Sequence, residues 1–398
     1  MNYDFLFAII FYAVIFLYYL THKEKFEVQG KIFVLYKTSL GIKLMDKIAK
    51  LSPKFFRLLG VLSITIGFAG MIIIFYILIR GTIDLIFVPE AVPVIAPILP
   101  GVAIPGLPTL SFWHWIVSIL IVATIHEFSH GVFARAHNIK VKSSGFAFLG
   151  PILAAFVEPD EKELPKRKKF AQLSVFAAGP FSNIVTGFIF FFIAGFLLTP
   201  LAFSMLDIKG VSISGVEENF PAAASGLKEN DIILEINNIS IDTTINFSEA
   251  LKDLKPGDKV NIKTETNEFN LVAVEHPENS TKGYLGLIVS GMKVEVKESV
   301  TSKYGTFVPS AILWLSRLFE WLFLISFGIA LANLLPLGPV DGGRMALTGI
   351  SLFIKDAKKQ YKVWFILTLV CLLLIVINLL PFLQKLFVFI FNSFIALI

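Results

Sequence analysis

Hydrophobic positions along this chain gather into long runs rather than recurring with a short period, and the runs divide it into spans. Nearly uncharged stretches long enough to cross a bilayer of roughly 30 Å lie at 5–20, 58–79, 112–134, 170–206, 321–340 and 363–380, predicting six transmembrane helices. A seventh apolar stretch, 382–398, is interrupted by Lys385 and Asn392 and fits either a weak span or an interfacial segment. Residues 81–108 carry Pro89, Pro93, Pro97, Pro100, Pro105 and Pro108; these argue against a helix and predict a loop or a re-entrant lid under protein cover. The stretch 145–157, GFAFLGPILAAFV, is apolar but too short to cross, which suits a re-entrant or membrane-edge strand. Gly179-Pro180 inside the fourth run predicts a kink or break there.

Between 209 and 292 the pattern turns soluble: strand-like VSISGV, a small-residue run PAAASGL, then KENDIILEINN, a helix-compatible FSEALKDL, and strand-like KVNIKTE and FNLVAVEH. Four regions are therefore expected: an N-terminal span with a basic segment at 1–57, a membrane core at 58–207, a separate soluble domain at 208–300, and further membrane helices at 301–398. The fold class is an α-helical polytopic membrane protein with an inserted α+β domain.

Composition and charge sharpen this picture. Of the 398 residues 55% are hydrophobic and only 16% charged, against about 25% charged in soluble domains, which excludes a simple soluble globular protein. The net charge of +5 would suit nucleic acid, but the lysines cluster beside apolar spans, where anionic lipid is the nearer partner, so no nucleic-acid partner is expected. Asp4 and the lack of a basic leader or small-residue cleavage site make the first span a retained helix rather than a removed signal peptide. Basic loops at 21–57, 135–169 and 341–362 belong in the cytoplasm by the positive-inside rule, whereas 81–111 has no Lys or Arg. That alternation puts the N-terminus outside, the 208–300 domain outside the cytoplasm, and the protein in a cell membrane. A single cysteine, Cys371, inside an apolar run excludes an intrachain disulfide and a cysteine metal cluster. Any metal site must use His, Asp or Glu.

Residues 126–130 read HEFSH inside the third span. Histidines at i and i+4 project from one helix face, so His126 and His130 can reach one metal ion, while Glu127, rotated by about 100°, can meet a water without ligating the metal. Ionisable groups within a span cost several kcal/mol unless paired or coordinated; a polar face lining a water-filled cavity is the alternative to a metal. A catalytic zinc usually takes three protein ligands and keeps a fourth position open. Asp341, in NLLPLGPVDGGR at the apolar boundary after the fifth span, is the candidate third ligand, the alternative being an Asp-Gly turn. On the positive-inside topology, the C-terminal ends of spans three and five share the cytoplasmic side, which puts Asp341 and HEFSH at similar depth.

These residues resemble the site-2 protease family of intramembrane zinc metalloproteases. The resemblance rests on His126, Glu127 and His130, on Asn333, Pro336, Asp341 and Gly342, on Gly179, Pro180 and Asn183, on a Gly-containing membrane-associated strand at 145–150, and on AFVEPDE at 155–161. It implies one Zn2+ ion and regulated cleavage of single-span membrane-protein substrates within or near a transmembrane helix. Glu127 would serve as base and then acid. The 145–150 segment would pair with the unwound substrate as an edge strand, and Asn183 or Asn333 would contact the substrate carbonyl or developing oxyanion, unless both asparagines only satisfy backbone freed at the prolines. The 209–292 segment resembles a PDZ domain through GLKENDIILEINN, with Asn230-Asp231 in place of the usual Gly-Asp, which implies capture of a peptide C-terminus or a filter against bulky substrates, the alternative being a folded spacer with no ligand. A metal transporter and a PDZ-bearing scaffold with an inactive core are the competing classes; the absence of internal repeats opposes the first and the intact Glu127 the second. The remaining histidines have structural readings, with His114 at the interface and His137 solvated in the basic loop.

Overall fold

The computed structural model of the protein describes residues 3–29, 33–89, 91–102, 109–149, 152–277 and 279–395. Among the described residues, six helices are long and apolar enough to cross a membrane: Asp4–Thr21, Pro53–Phe87, Phe112–Ala136, Lys169–Ser204, Phe307–Leu334 and Ala357–Lys385. The chain divides into two compact units, one made of Met1–Ala194 and Arg317–Ile398 and the other of Gly195–Ser316.

The first unit begins with α1 (Tyr3–Thr21), strands β1 (Phe26–Gln29) and β2 (Phe33–Thr38), the short helix α2 (Ile42–Leu51), α3 (Pro53–Phe87) and α4 (Phe112–Ala136). Strands β3 (Val141–Leu149) and β4 (Ile152–Pro159) then lead into α5 (Lys169–Ile193). The basic segment expected as a plain loop at 21–57 thus carries two strands and an amphipathic helix, with Met45 and Ala49 of α2 buried against α4. The four strands form one antiparallel sheet in the order β1-β2-β3-β4. Residues 145–149 therefore pair on both sides, with 33–37 of β2 and with 152–156 of β4. This corrects the expectation that 145–150 is a free edge: β4 is the edge on that side.

Local signals explain where the helices start. Ser52 Oγ accepts the Phe55 N–H at 3.3 Å with Pro53 in the first helical position of α3, and Ser111 Oγ accepts the His114 N–H at the start of α4. Asp4 also supports α4, its Oδ2 accepting the Phe112 N–H at 2.8 Å. His114 is buried, with Ser111 Oγ 2.6 Å from its Nδ1, so it belongs to this cap rather than to an exposed interface.

Several span boundaries differ from expectation. Helix α3 runs on to Phe87, into the start of the proline-rich region, which is irregular at 91–99; Pro105 and Pro108 lie outside the described residues. Pro180 neither breaks nor ends α5. It is buried with Ala177, Ala178 and Gly179, and such packing holds a helix together where proline removes one backbone donor. The irregularity comes later, as a π turn at Ala194–Leu198.

The second unit holds α6 (Thr199–Ser204), β5 (Leu206–Val216), α7 (Pro221–Ser225), β6 (Ile232–Ile236), β7 (Ile239–Ser240), α8 (Thr244–Ala250), β8 (Lys259–Thr264), β9 (Glu268–Val272), β10 (Val274–His276), β11 (Asn279–Tyr284), β12 (Leu287–Val296) and α9 (Glu298–Tyr304). Its main sheet has the order β12-β5-β6-β8-β9, with β7 pairing β6. The inward residues Val211 and Ile213, Val260 and Ile262 alternate along β5 and β8 and form its own core with Ile233 and Ile236 of the irregular β6.

The chain continues through α10 (Phe307–Leu334), α11 (Asp341–Phe353) and α12 (Ala357–Ile395). The fifth span is thus 307–334 rather than 321–340, because Leu335–Val340 leave the helix at Pro336 and Pro339. The undecided stretch 382–398 continues α12 through Pro381 as far as Ile395.

His137 ends α4 and is half-buried rather than solvated. Its Nε2 lies 3.1 Å from Ser174 Oγ, and its ring stands edge-on to Phe170. Burial, then the Arg57 and Arg167 cations, push its imidazole down to about 4 from the ordinary 6.5. The unfolded chain takes up this proton near pH 6.5 and the folded one only near 4, so stability falls as pH drops between them. In thermal unfolding of the detergent-solubilised protein from pH 7 to 4, His137→Gln should show a shallower loss of Tm than the parent.

Candidate metal centre

Three side chains from two helices meet at one point. His126 and His130 project from α4 one turn apart, and Asp341 stands in the first turn of α11, where the positive end of the helix dipole favours a carboxylate. His126 Nε2 lies 3.0 Å and His130 Nε2 3.2 Å from Asp341 Oδ2. All three are buried, and their donor atoms lie within 4.8 Å of one another. In a tetrahedral zinc site with bonds of about 2.1 Å, neighbouring donor atoms stand roughly 3.4 Å apart, so this spacing suits a shared ion.

The hydrogen bonds behind the imidazoles agree. His130 Nδ1–H donates to Val175 O at 2.7 Å, which leaves a lone pair on Nε2 facing the carboxylate oxygen. Two acceptors at that distance repel unless a cation or proton lies between them. Behind His126 stands the fully buried Asn183, whose amide nitrogen is 3.1 Å from Nδ1 and whose Oδ1 has no hydrogen-bond partner. Turning that amide over barely changes its shape. It then accepts from Nδ1–H through Oδ1, which frees Nε2 as a ligand in the same way as in His130. Space for an ion exists because residue 179 has no side chain: a Cβ there would collide with Nε2 of both His126 and His130. The donor set, the paired orienting bonds and the open space all fit zinc.

The segment between α10 and α11 delivers Asp341. Gly342 and Gly343 let the start of α11 sit against the backbone of Leu334, Leu335, Leu337 and Gly338, where a Cβ would overlap carbonyl groups. Helix α12 fixes the same turn through Trp364 Nε1–H, which donates to Gly343 O at 2.8 Å, and Thr368 Oγ1–H, which donates to Pro336 O at 3.3 Å.

Glu127 is not one of the grouped donors. Its Oε2 accepts the Val157 N–H of β4 at 2.9 Å. Glu127, the three donor residues and Asn333 line a cavity of about 860 Å³. Asn333 Nδ2–H is engaged on Ile329 O at 3.0 Å, so it partly satisfies its own helix. Asn183 does not line this cavity and meets His126 instead. The Val175 carbonyl and the Val157 amide escaped sequence reading because backbone groups carry no sequence signal; only the apolar run 145–157 marked the strand involved.

Fold and site together define a polytopic membrane metalloenzyme whose two histidines, carboxylate and adjacent glutamate have the makings of a hydrolytic zinc centre. Comparison with known proteins agrees. The model of Peptidase family M50 matches residues 114–373. Uncharacterized protein MJ0971 of Methanocaldococcus jannaschii is 30% identical over 341 residues, covering 84% of this chain and 82% of that protein. Zinc metalloprotease RasP of Shouchella clausii is 26% identical over 264 residues, covering 54% of this chain and 59% of RasP. The solved PDZ domain of the SdrC-like protein Lmo2051 of Listeria monocytogenes shares 21% identity, with a TM-score of 0.19, over 20% of this chain and 87% of that one. The chain belongs to Peptidase family M50: it is an integral membrane zinc metalloendopeptidase of the site-2 protease type.

If Gly179 keeps the ion's space open, Gly179→Ala should lower zinc affinity on the order of tenfold or more. Zinc titration of the purified variant measures this, and an unchanged affinity counts against that role.

Proposed function

We propose that the protein hydrolyses a peptide bond within or beside the transmembrane helix of a single-span membrane-protein substrate, with His126, His130 and Asp341 as zinc ligands and Glu127 as the general base. The observation that carries this reading is the convergence of the two imidazoles and the Asp341 carboxylate on one side of a cavity that also holds the Glu127 carboxylate. Zinc held there supplies Lewis acidity to a water and to the scissile carbonyl. Glu127 takes a proton from the attacking water and returns it to the leaving amine. The Val157 N–H fixes one carboxylate oxygen of Glu127 and leaves the other free for this exchange.

A helical substrate must unwind before its carbonyl can be reached, and the unwound segment then needs partners for its backbone. Edge strand β4 is the proposed partner in place of 145–150, since Phe156, Val157, Glu158 and Pro159 line the cavity beside the donor set. Asn183 is proposed to orient His126 rather than to touch substrate. Asn333 remains the candidate contact for the carbonyl or oxyanion, and reaches it by exchanging its bond to Ile329 O. The 208–300 domain is proposed to stand outside the cytoplasm and to take a peptide C-terminus by strand addition, while the metal centre faces the cytoplasmic side.

With a reconstituted single-span substrate, Glu127→Gln should keep zinc and lose cleavage by roughly 10²-fold or more, whereas His126→Ala and Asp341→Ala should lose both, as should chelation. Full activity in Glu127→Gln refutes the assigned base. Sidedness is tested by single cysteines: Val92→Cys and Lys252→Cys should label from outside the cell and Lys162→Cys only after permeabilisation. Labelling of Val92→Cys and Lys162→Cys from one side defeats the proposed orientation.

A further inference from the structure

Cleavage leaves a charge in the cavity that the residues assigned so far do not balance. Formal charges of a divalent zinc, Asp341 and Glu127 sum to zero, and the two further carboxylates of the wall, Glu158 and Glu161, are matched in number by its two cations, Lys37 and Arg344. Hydrolysis breaks the C–N bond, forms a C–O bond and passes the water's protons so that one product ends in a carboxylate and the other begins with an ammonium group. When the ammonium-bearing fragment departs, the fragment left behind adds one uncompensated negative charge, which is costly in a site of low dielectric.

The cavity wall holds two cationic side chains, Lys37 and Arg344. Lys37 is occupied: its Nζ lies 2.7 Å from Glu27 and 3.7 Å from Glu158. Arg344 is different. It lies one helical turn beyond Asp341 on α11, on the same side of the helix. Its guanidinium sits 5.8 Å from the centre of the Phe176 ring, another residue of the cavity wall, and among the described residues it pairs with no carboxylate. A ring of this kind positions a guanidinium without neutralising it. Three of the five residues from Val340 to Arg344 line the cavity, namely Val340, Asp341 and Arg344, so this one turn presents both the carboxylate and the cation to a bound chain.

We propose that Arg344 is a substrate-binding residue that receives the new C-terminal carboxylate of the N-terminal product. The planar guanidinium offers two parallel N–H donors to the two carboxylate oxygens, a match that a lysine ammonium lacks. Before cleavage the same fork takes a main-chain carbonyl of the unwound segment, a weaker acceptor. Arg344 therefore discriminates product from substrate and makes the N-terminal product the tighter-held one. This assignment rests on the proteolytic reading of the site.

The test uses the detergent-solubilised full chain loaded with zinc and a fluorescein-labelled octapeptide of alanine and leucine, prepared both as the free acid and as the C-terminal amide. Fluorescence anisotropy should show the parent binding the acid on the order of tenfold tighter than the amide. Arg344→Gln should bring that ratio close to one, and Arg344→Lys should keep only part of it, both with unchanged zinc content. In cleavage assays, inhibition by the acid should weaken in Arg344→Gln far more than KM for the intact substrate rises. A parent that prefers neither peptide, or binds neither, overturns the proposal, as does full acid preference in Arg344→Gln. If Arg344→Gln loses zinc, the ratio in Arg344→Lys decides, and parental preference there overturns the bidentate assignment. Failure of the parent to cleave any single-span substrate counts against the proteolytic reading instead, and the acid-to-amide ratio still judges Arg344.

Discussion

The structure turns on three acceptor atoms held close together on buried side chains. Nε2 of His126, Nε2 of His130 and Oδ2 of Asp341 come from elements more than 200 residues apart in sequence, with separations of 215 and 211 for the two contacts. Lone pairs at such distances repel, and desolvating the carboxylate adds several kcal/mol. Zinc offsets both costs, so the surroundings read as a frame built to hold the donors in place. Val175 O and the Asn183 amide fix the two rings from behind, the first turn of α11 presents the carboxylate, and Trp364 and Thr368 on α12 steady the bend that leads into it. Residue 179 contributes by absence, since any side chain there fills the space the ion needs.

A second constraint follows from the membrane. Backbone donors and acceptors cannot be left bare in hydrocarbon, which is why spanning segments are helical and why a sheet at the membrane edge needs partners. In this chain the four-stranded sheet satisfies β3 on both sides and leaves β4 as its edge, next to the cavity. One amide of β4 is spent on Glu127, which ties the position of the proposed base to the strand proposed to receive substrate.

How much of this was legible in advance depends on the range of the interaction. The six spans follow from apolar runs and the composition change at 209 signals a separate soluble segment, because both are summed over many residues, whereas the second compact unit, Gly195–Ser316, also takes in the ends of the flanking spans. HEFSH was legible because an i, i+4 pair on a helix is a local geometric fact. Asp341 was found only by joining charge-based topology to ligand chemistry. Pro180 misled, since its local rule predicts a kink and buried packing on both sides keeps α5 whole. His137 was placed in solvent by its basic neighbours, yet Arg57 reaches it from α3 and Ser174 from α5. The roles expected of Asn183 and Asn333 separated once one was seen behind His126 and the other on the cavity wall.

Sequence by itself determined the solvent in which each segment lives, the class of the folded insertion and the chemical identity of the donor set, since each depends on residue type and short spacing. Tertiary structure alone decided which strand is the edge, which backbone groups orient the ligands and which cation in the cavity stays unpaired. Those outcomes depend on packing between elements far apart in the chain. No local pattern records them, because a carbonyl, an amide or a missing Cβ acquires its role only when a distant side chain arrives beside it.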